Sequence, residues 1–173
     1  MKAKARNIFA LGGIMRKFSF CLAAVLFCAV AAQAAPKAEI FGGYQFTRLE
    51  GGINMNGWNA ALTGNMGSIF GVTADFSQVY DSGVHYSTYT FGPELHAHLP
   101  IVKPFVHVLV GGARLAGGGG SINGFATYFG GGVDAGHGPL AWRVAQFDWH
   151  AARFSAGSSS KNVRISTGLV LRF

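Results

Sequence analysis

Imidazoles, carboxylates and one serine–histidine neighbour pair are the residues of this chain that could do chemistry. His96-Ala97-His98 sets two imidazoles two residues apart, with Glu94 just before them and His107 further on. Residues i and i+2 share one face of a strand, so Glu94 or His107 crossing over would supply a third metal ligand. Two ligands alone fall short of a zinc shell, which favours a pair of polar residues near a turn. His85-Tyr86-Ser87 likewise puts a histidine and a serine on one strand face, the pairing a serine hydrolase would use. Neither a positioned acid nor an active-site motif accompanies it. Gly117–Gly120 has only the composition of a phosphate-cradling loop, because the Lys-Ser/Thr and the following helix are missing; it reads as an exposed loop. No catalytic residue, cofactor or metal is therefore assigned, and the chain is read as non-enzymatic.

The remaining charges are spaced by the alternation that surrounds them. Phe70, Val72, Ala74 and Phe76 oppose Thr73, Asp75 and Ser77; Tyr89, Phe91 and Leu95 oppose Thr88, Thr90, Glu94, His96 and His98. Near the end, Val163, Ile165, Leu169, Leu171 and Phe173 oppose Arg164, Ser166 and Arg172. A period of two is the signature of strands. Eight such segments are predicted, at about 38–48, 56–66, 69–79, 86–98, 104–115, 124–135, 140–153 and 162–173. In the seventh, Arg143 is odd-numbered while Gln146, Asp148 and His150 are even, so a bulge near Val144-Ala145 is needed to bring all four to one side.

Strands with one apolar and one charged face, eight in number, make a closed barrel whose apolar side faces lipid and whose polar side fills the lumen. Asp75, Glu94, Arg143, Asp148 and Arg164 are expected to meet inside as a mixed-sign charge network, since interior charges must be paired. Trp58, Tyr89, Tyr128, Phe129, Trp142 and Trp149 are the candidates for interfacial aromatic girdles. Segments Leu49–Met55, Tyr80–His85, Ala116–Asn123 and Phe154–Lys161 are polar or rich in Gly and Ser, and read as the longer loops of one end. The connections near Gly67, Pro100-Ile101-Val102 and Gly136–Pro139 read as the tight turns of the other.

The first 34 residues have the pattern of a secretion signal. Lys2, Lys4, Arg6, Arg16 and Lys17 precede an uncharged run from Phe18 to Ala32, and Ala32-Gln33-Ala34 offers a small-x-small cleavage site. Met15 is an alternative start. Both cysteines, Cys21 and Cys28, lie in this segment and follow Phe20 and Phe27 rather than the small residue of a lipoprotein site, so no disulfide, reactive thiol or lipid anchor is proposed for residues 35–173. Removing the signal leaves nine basic against seven acidic residues, too balanced for a nucleic-acid partner. Residues 35–173 hold only 16 charged side chains, a surface too sparse for water and suited to lipid.

Taken in order, Ile40-Phe41-Gly42-Gly43-Tyr44, Gly57-Trp58-Asn59-Ala60, Gly71-Val72-Thr73-Ala74-Asp75-Phe76, Phe91-Gly92-Pro93, Pro104-Phe105-Val106-His107, Gly130-Gly131-Gly132-Val133-Asp134 and the final Phe173 resemble the small bacterial outer-membrane β-barrel family, the porin-family barrels similar in size to the OmpA/OmpX-type transmembrane domain. The resemblance covers nearly all of residues 38–173. It implies an eight-stranded antiparallel up-and-down transmembrane barrel in the bacterial outer membrane, with extracellular loops and both mature termini periplasmic. It also implies that Leu169, Leu171 and Phe173 form the signal read by the barrel-assembly machinery. Expected partners are that machinery, outer-membrane lipid and lipopolysaccharide, with the protein itself a monomer. The chain ends at strand 8 with no periplasmic peptidoglycan-binding domain, so cell-wall tethering is not carried over. The function expected is structural or surface-interacting, with a narrow passive pore for ions or very small solutes as the alternative; a lipid A-modifying enzyme working with His85 and Ser87 at the rim, as in some barrels of the family, is the further one.

Overall fold

Alternating side chains with frequent β-branched and aromatic residues make every element a strand. The computed structural model describes residues 37–154 and 157–173, and the backbone alone over 157–160. The proposed signal segment, 1–34, lies outside them. The strands are β1 (Ala38–Arg48), β2 (Asn54–Asn65), β3 (Phe70–Asp81), β4 (Val84–His96), β5 (Val102–Gly117), β6 (Gly120–Ala135), β7 (Leu140–Phe154) and β8 (Gly157–Arg172). Each pairs antiparallel with its sequence neighbour, and β1 pairs with β8 from Glu39↔Arg172 to Arg48↔Val163, closing the barrel. Phe173 is stitched in past the last strand residue: its N–H donates to Ala38 O at 2.9 Å and its carbonyl accepts from Lys37 N at 2.7 Å. Closure satisfies the backbone groups that an open sheet edge would leave bare.

The bulge in β7 lies where the change of parity requires it. Pairing runs Arg143↔Gly168 and then Gln146↔Ser166, so Val144 and Ala145 both turn outward and Arg143, Gln146, Asp148 and His150 all turn inward. Parity decides the other walls in the same way. Ile40, Leu62, Phe76, Phe91, Val106, Phe147, Ile165, Leu169 and Leu171 stand exposed on the outside, and Glu39, Asp75, Glu94, Lys103, Asp134, Asp148 and Arg164 are buried inside.

Two expectations are corrected. The polar segments Tyr80–His85 and Ala116–Asn123 are not long loops: the ladder continues to Asp81↔Val84 and Gly117↔Gly120, leaving two-residue turns at Ser82-Gly83 and Gly118-Gly119. Both central residues of each turn have positive φ, between 44° and 84°, the primed geometry whose twist matches a hairpin. Polar composition here marks strand ends rising past the apolar belt rather than irregular chain. At the opposite end β4 stops at His96, so His98 belongs to the connection 97–101 rather than to the strand.

Several glycines are spaces for the adjoining strand. A Cβ on Gly57 would lie 1.9 Å from Gln78 O and 2.7 Å from Val79 Cα, and one on Gly43 2.1 Å from Thr167 O. Backbone cannot yield as a side-chain tip can, so Gly57→Ala should lower the urea midpoint of the detergent-folded protein by the equivalent of about 1–3 kcal/mol. Gly64→Ala, where a Cβ meets nothing within 4 Å, should be neutral or slightly stabilising. Equal midpoints for the two variants would show that β2 and β3 do not approach as described.

Candidate functional site

The chemistry-bearing side chains gather in the lumen. Arg164, fully buried, reaches from β8 across to β3, where Nη1 donates to Asp75 Oδ1 at 2.7 Å and Nη2 to Asp75 Oδ2 at 3.2 Å. Its Nε donates to Asp148 Oδ2 on neighbouring β7 at 2.7 Å. The guanidinium carbon lies 4.2 Å from the centre of the Tyr128 ring, a cation–π contact. Asp148 also accepts from His107 Nε2 and Gln146 Nε2, each at 2.8 Å, and Asp75 accepts from Asn59 Nδ2 at 2.9 Å. A Cβ on Gly130 would meet Asp148 Oδ1 at 2.1 Å, so glycine there makes room for the carboxylate.

A second set lies nearer the chain termini. Arg143 donates from Nε to Asp134 Oδ1 at 2.8 Å and from Nη1 to Gln146 Oε1 at 2.7 Å, and its guanidinium is sandwiched between Phe41 and Phe105 at 4.3 and 4.2 Å from their centroids. Gln146 therefore joins the two sets. Lys103 pairs with Glu39 and lies 3.7 Å from Glu94, which accepts from Thr73 Oγ1 at 2.9 Å. Arg172 comes within 3.7 Å of Glu39 and 3.9 Å of Asp134.

Of the residues singled out from sequence, Asp75, Asp148 and Arg164 thus share one cluster, while Arg143 and Glu94 belong to the second. Glu39, Lys103 and Asp134 complete the pairing together with His107, which the sequence offered only as a metal ligand; none of the four was expected in the charge network. Parity could have found them: Glu39 shares its face with Phe41 and Gln45 on β1, and Lys103 and His107 share theirs with Leu109 on β5. What parity lacks is reach, because Lys103 and Glu39 are 64 residues apart and meet across the lumen.

Towards the turns Ser82-Gly83 and Gly118-Gly119 the lumen changes character. Met55, Val79, Tyr86, Leu109, Ala113, Ala126 and Tyr128 pack as a buried cluster. Tyr128 is therefore not an interfacial residue: its even parity on β6 turns it inward, where it donates to Thr88 Oγ1 at 3.2 Å and stacks on His150. The Tyr86 hydroxyl shares a hydrogen bond with His150 Nε2. Trp58, Tyr89, Phe129, Trp142 and Trp149 do stand on the outer wall.

The histidine and serine candidates part company. His96 is buried in the lumen with Nδ1 3.6 Å from Glu94, whereas His98 sits in the turn with Nδ1 3.1 Å from the Ser68 carbonyl. Burial pushes the pKa of His98 down, the Ser68 hydrogen bond opposing it. Their rings meet edge to face at 4.9 Å, and among the described residues no cluster of three His, Cys, Asp or Glu could hold a metal. His85 and Ser87 share the outer face of β4, in register with Ala116 and Arg114 rather than with an acid. Leu169, Leu171 and Phe173 are exposed in one outward row.

Removing one partner of a buried pair costs more than the pair contributes, because the other charge is left desolvated. Arg164→Leu, which leaves Asp75 and Asp148 facing each other, should therefore destabilise the folded protein by about 3–5 kcal/mol, and Asp75→Leu by a similar amount. Urea titrations in micelles read this directly; wild-type midpoints for both variants would dissolve the pairing.

By sequence, no described family matches the chain and no curated protein matches it. By structure it is similar to Neisserial surface protein A, at a TM-score of 0.60 and 10% identity, covering 82% of this chain and 100% of the other. It is similar also to the N-terminal β-barrel domain of Pseudomonas aeruginosa OprF, at 0.59 and 10%, covering 81% and 100%. The attachment invasion locus protein Ail of Yersinia pestis aligns at 0.52 and 16%, covering 81% and 100%. Outward apolar belt, inward charge network, eight-strand closure and these alignments coincide: the chain has the fold of the small eight-stranded outer-membrane β-barrels.

Proposed function

We propose that the protein is an integral outer-membrane barrel with a non-enzymatic structural or surface-interacting role, and that its lumen does not conduct. The observation that carries this reading is the inverted distribution of side chains. Five carboxylates and four cations are turned inward, while Phe129, Phe91, Phe147, Trp149 and Leu169, each more than half exposed, are turned outward. In water that arrangement would expose a large apolar surface and bury charge, both costly; in a bilayer the outer wall is solvated by lipid tails. The turns at Ser82-Gly83 and Gly118-Gly119 are taken to face outwards and the termini the periplasm. Closure of β1 on β8 leaves no strand edge to recruit a second copy, which favours a monomer.

The non-conducting reading is preferred to a narrow pore because the small lumen-side residues do not line an open thread. The spaces at Gly130 and Gly132 are taken by Asp148 and Phe105, and the ring of Tyr128, itself part of the apolar cluster, lies over Arg164. An eight-stranded interior is just wide enough for its own side chains to fill. The non-enzymatic reading rests on the lumen's acids and imidazoles being engaged with one another, and on the outward, acid-free setting of His85 and Ser87.

Fractionation should place the protein in the outer membrane, and unheated samples should migrate faster on gels than boiled ones. Recovery in the soluble periplasm would overturn the membrane reading. In planar bilayers the purified barrel should give no discrete conductance steps, and regular steps would replace the structural role by the pore. Deleting Phe173 removes about 1.5–3 kcal/mol of apolar burial, too little to abolish a barrel. If Leu169, Leu171 and Phe173 are read by the assembly machinery, the deletion should cause periplasmic accumulation in cells while the same chain still refolds into detergent. Normal insertion in cells would show that the terminal residue is no such signal.

A further inference from the structure

We infer that the lumen mouth on the side of the Ser82-Gly83 and Gly118-Gly119 turns is a blind cup for a small organic cation with an aromatic or short alkyl body; the inference deepens the surface-interacting reading above and rests on it. Along most of the barrel the wall is apolar outside and polar inside. At this rim the order reverses. Val84, Leu115 and Ile122 continue the inward faces of Tyr86, Ala113 and Ala126 and are apolar, whereas His85, Arg114, Ser121 and Asn123 beside them turn outwards and are polar. Strand ends beyond the apolar belt lie in water, where no lipid contact dictates either face. An apolar interior within a polar exterior is how a soluble barrel receives a ligand at its mouth.

The cup measures about 440 Å³ and is lined by Val84, Leu115, Gly117, Gly120, Ser121 and Ile122, a size and composition that suit a small molecule. Leu115 and Ile122 stand in register on β5 and β6, and Leu115 is level with Tyr86 of β4. Val84 and Leu115 pack, with Leu49 and Phe154, on the buried apolar cluster, so the cup ends on close-packed side chains. Phe154 meets Tyr86 edge to face at 6.4 Å, which brings aromatic rings to this level of the lumen. Glycine makes the room above them. A Cβ on Gly117 would come within 3.1 Å of Val84 Cγ2, while one on Gly120 would meet nothing within 4 Å.

Parity sorts the charges of this end by sign. Arg48, Arg114, Arg153 and Lys161 are exposed and turn outwards. Asp81 turns inwards, on the face of β3 that carries Asp75, Ser77 and Val79, and stands in register with Val84 at the edge of the cup. Its Oδ1 accepts from Ser82 Oγ at 3.1 Å, and among the described residues no cation pairs with it. A half-buried carboxylate beside an apolar hollow is complementary to a cationic head on an apolar body. A carboxylate or phosphate ligand would set its charge against Asp81, and a sugar would leave its hydroxyls unpaired on aliphatic walls.

The test uses the whole barrel, folded into phosphatidylcholine nanodiscs and titrated calorimetrically with phenylbutylamine, phenylbutanol and phenylbutyrate. These probes share one body and differ in the charge of the head, and heats from empty nanodiscs are subtracted. The wild type should bind the amine with a Kd on the order of 1 mM or tighter, the alcohol more weakly and the carboxylate least. Asp81→Asn should weaken the amine about two- to fivefold, the effect of a part-exposed ion pair, and leave the alcohol unchanged. Gly120→Trp, which fills the cup without touching a charge, should weaken all three alike. Faster migration of unheated samples on gels establishes that each variant has closed its barrel. Equal binding of amine and alcohol by the wild type, or a difference that survives Asp81→Asn, would overturn the choice of a cation. Equal binding by wild type and Gly120→Trp, or no heat from any probe, would overturn the cup itself. The reading beneath the site is tested apart from it: Ser82→Cys should react in intact cells with a maleimide carried on a large polyethylene glycol. Failure to react would overturn the outward orientation of this end, whatever the purified barrel binds.

Discussion

Arg164 carries a permanent charge at a position with no access to solvent, and much of the barrel interior is organised around satisfying it. Two strands, β1 and β2, separate it from Asp75 of β3, and on its other side it holds Asp148 of β7. A guanidinium so placed is tolerable only when its donors are used and its faces are covered. Asp75, Asp148 and the ring of Tyr128 supply that cover. Each of those groups then makes its own demand, which Asn59, His107, Gln146 and Thr88 answer. The network thereby links strands that are not neighbours in the sheet, something backbone pairing cannot do.

The second set follows from the same constraint. Gln146 accepts from Arg143 and donates to Asp148, so one amide connects the two clusters. Phe41 and Phe105 enclose the Arg143 guanidinium as Tyr128 encloses that of Arg164. Aromatic residues in this lumen act as the dielectric walls of ion pairs, and glycines at 130 and 132 leave space for the groups opposite. An apolar cluster around Leu109 and Met55 then takes over towards the hairpin turns. The lumen thus has a charged part and a largely apolar part, while the outer wall is apolar along most of its height.

Some of this was legible without coordinates. Alternation in two-residue steps gives the strands, their number and the inward side of Asp75, Glu94 and Arg164, because side-chain direction in a strand is a local property. The parity change between Arg143 and Gln146 located the β7 bulge for the same reason. Less legible were the hairpin ends. Tyr80–His85 and Ala116–Asn123 look like loops because they are polar, yet pairing continues through them; a strand that has left the apolar belt no longer needs apolar residues to stay in a sheet.

Sequence by itself determined which side chains point inward, since that follows from covalent geometry and a period of two. Only the tertiary structure decided which inward groups meet. Lys103 with Glu39, and Arg164 with Asp75, are 64 and 89 residues apart and join across the lumen. Tyr128, grouped by its type with the interfacial aromatics, sits against Arg164 and His150 instead. Barrel closure sets those distances through strand number, tilt and stagger, which belong to all eight strands together and are written in no single segment.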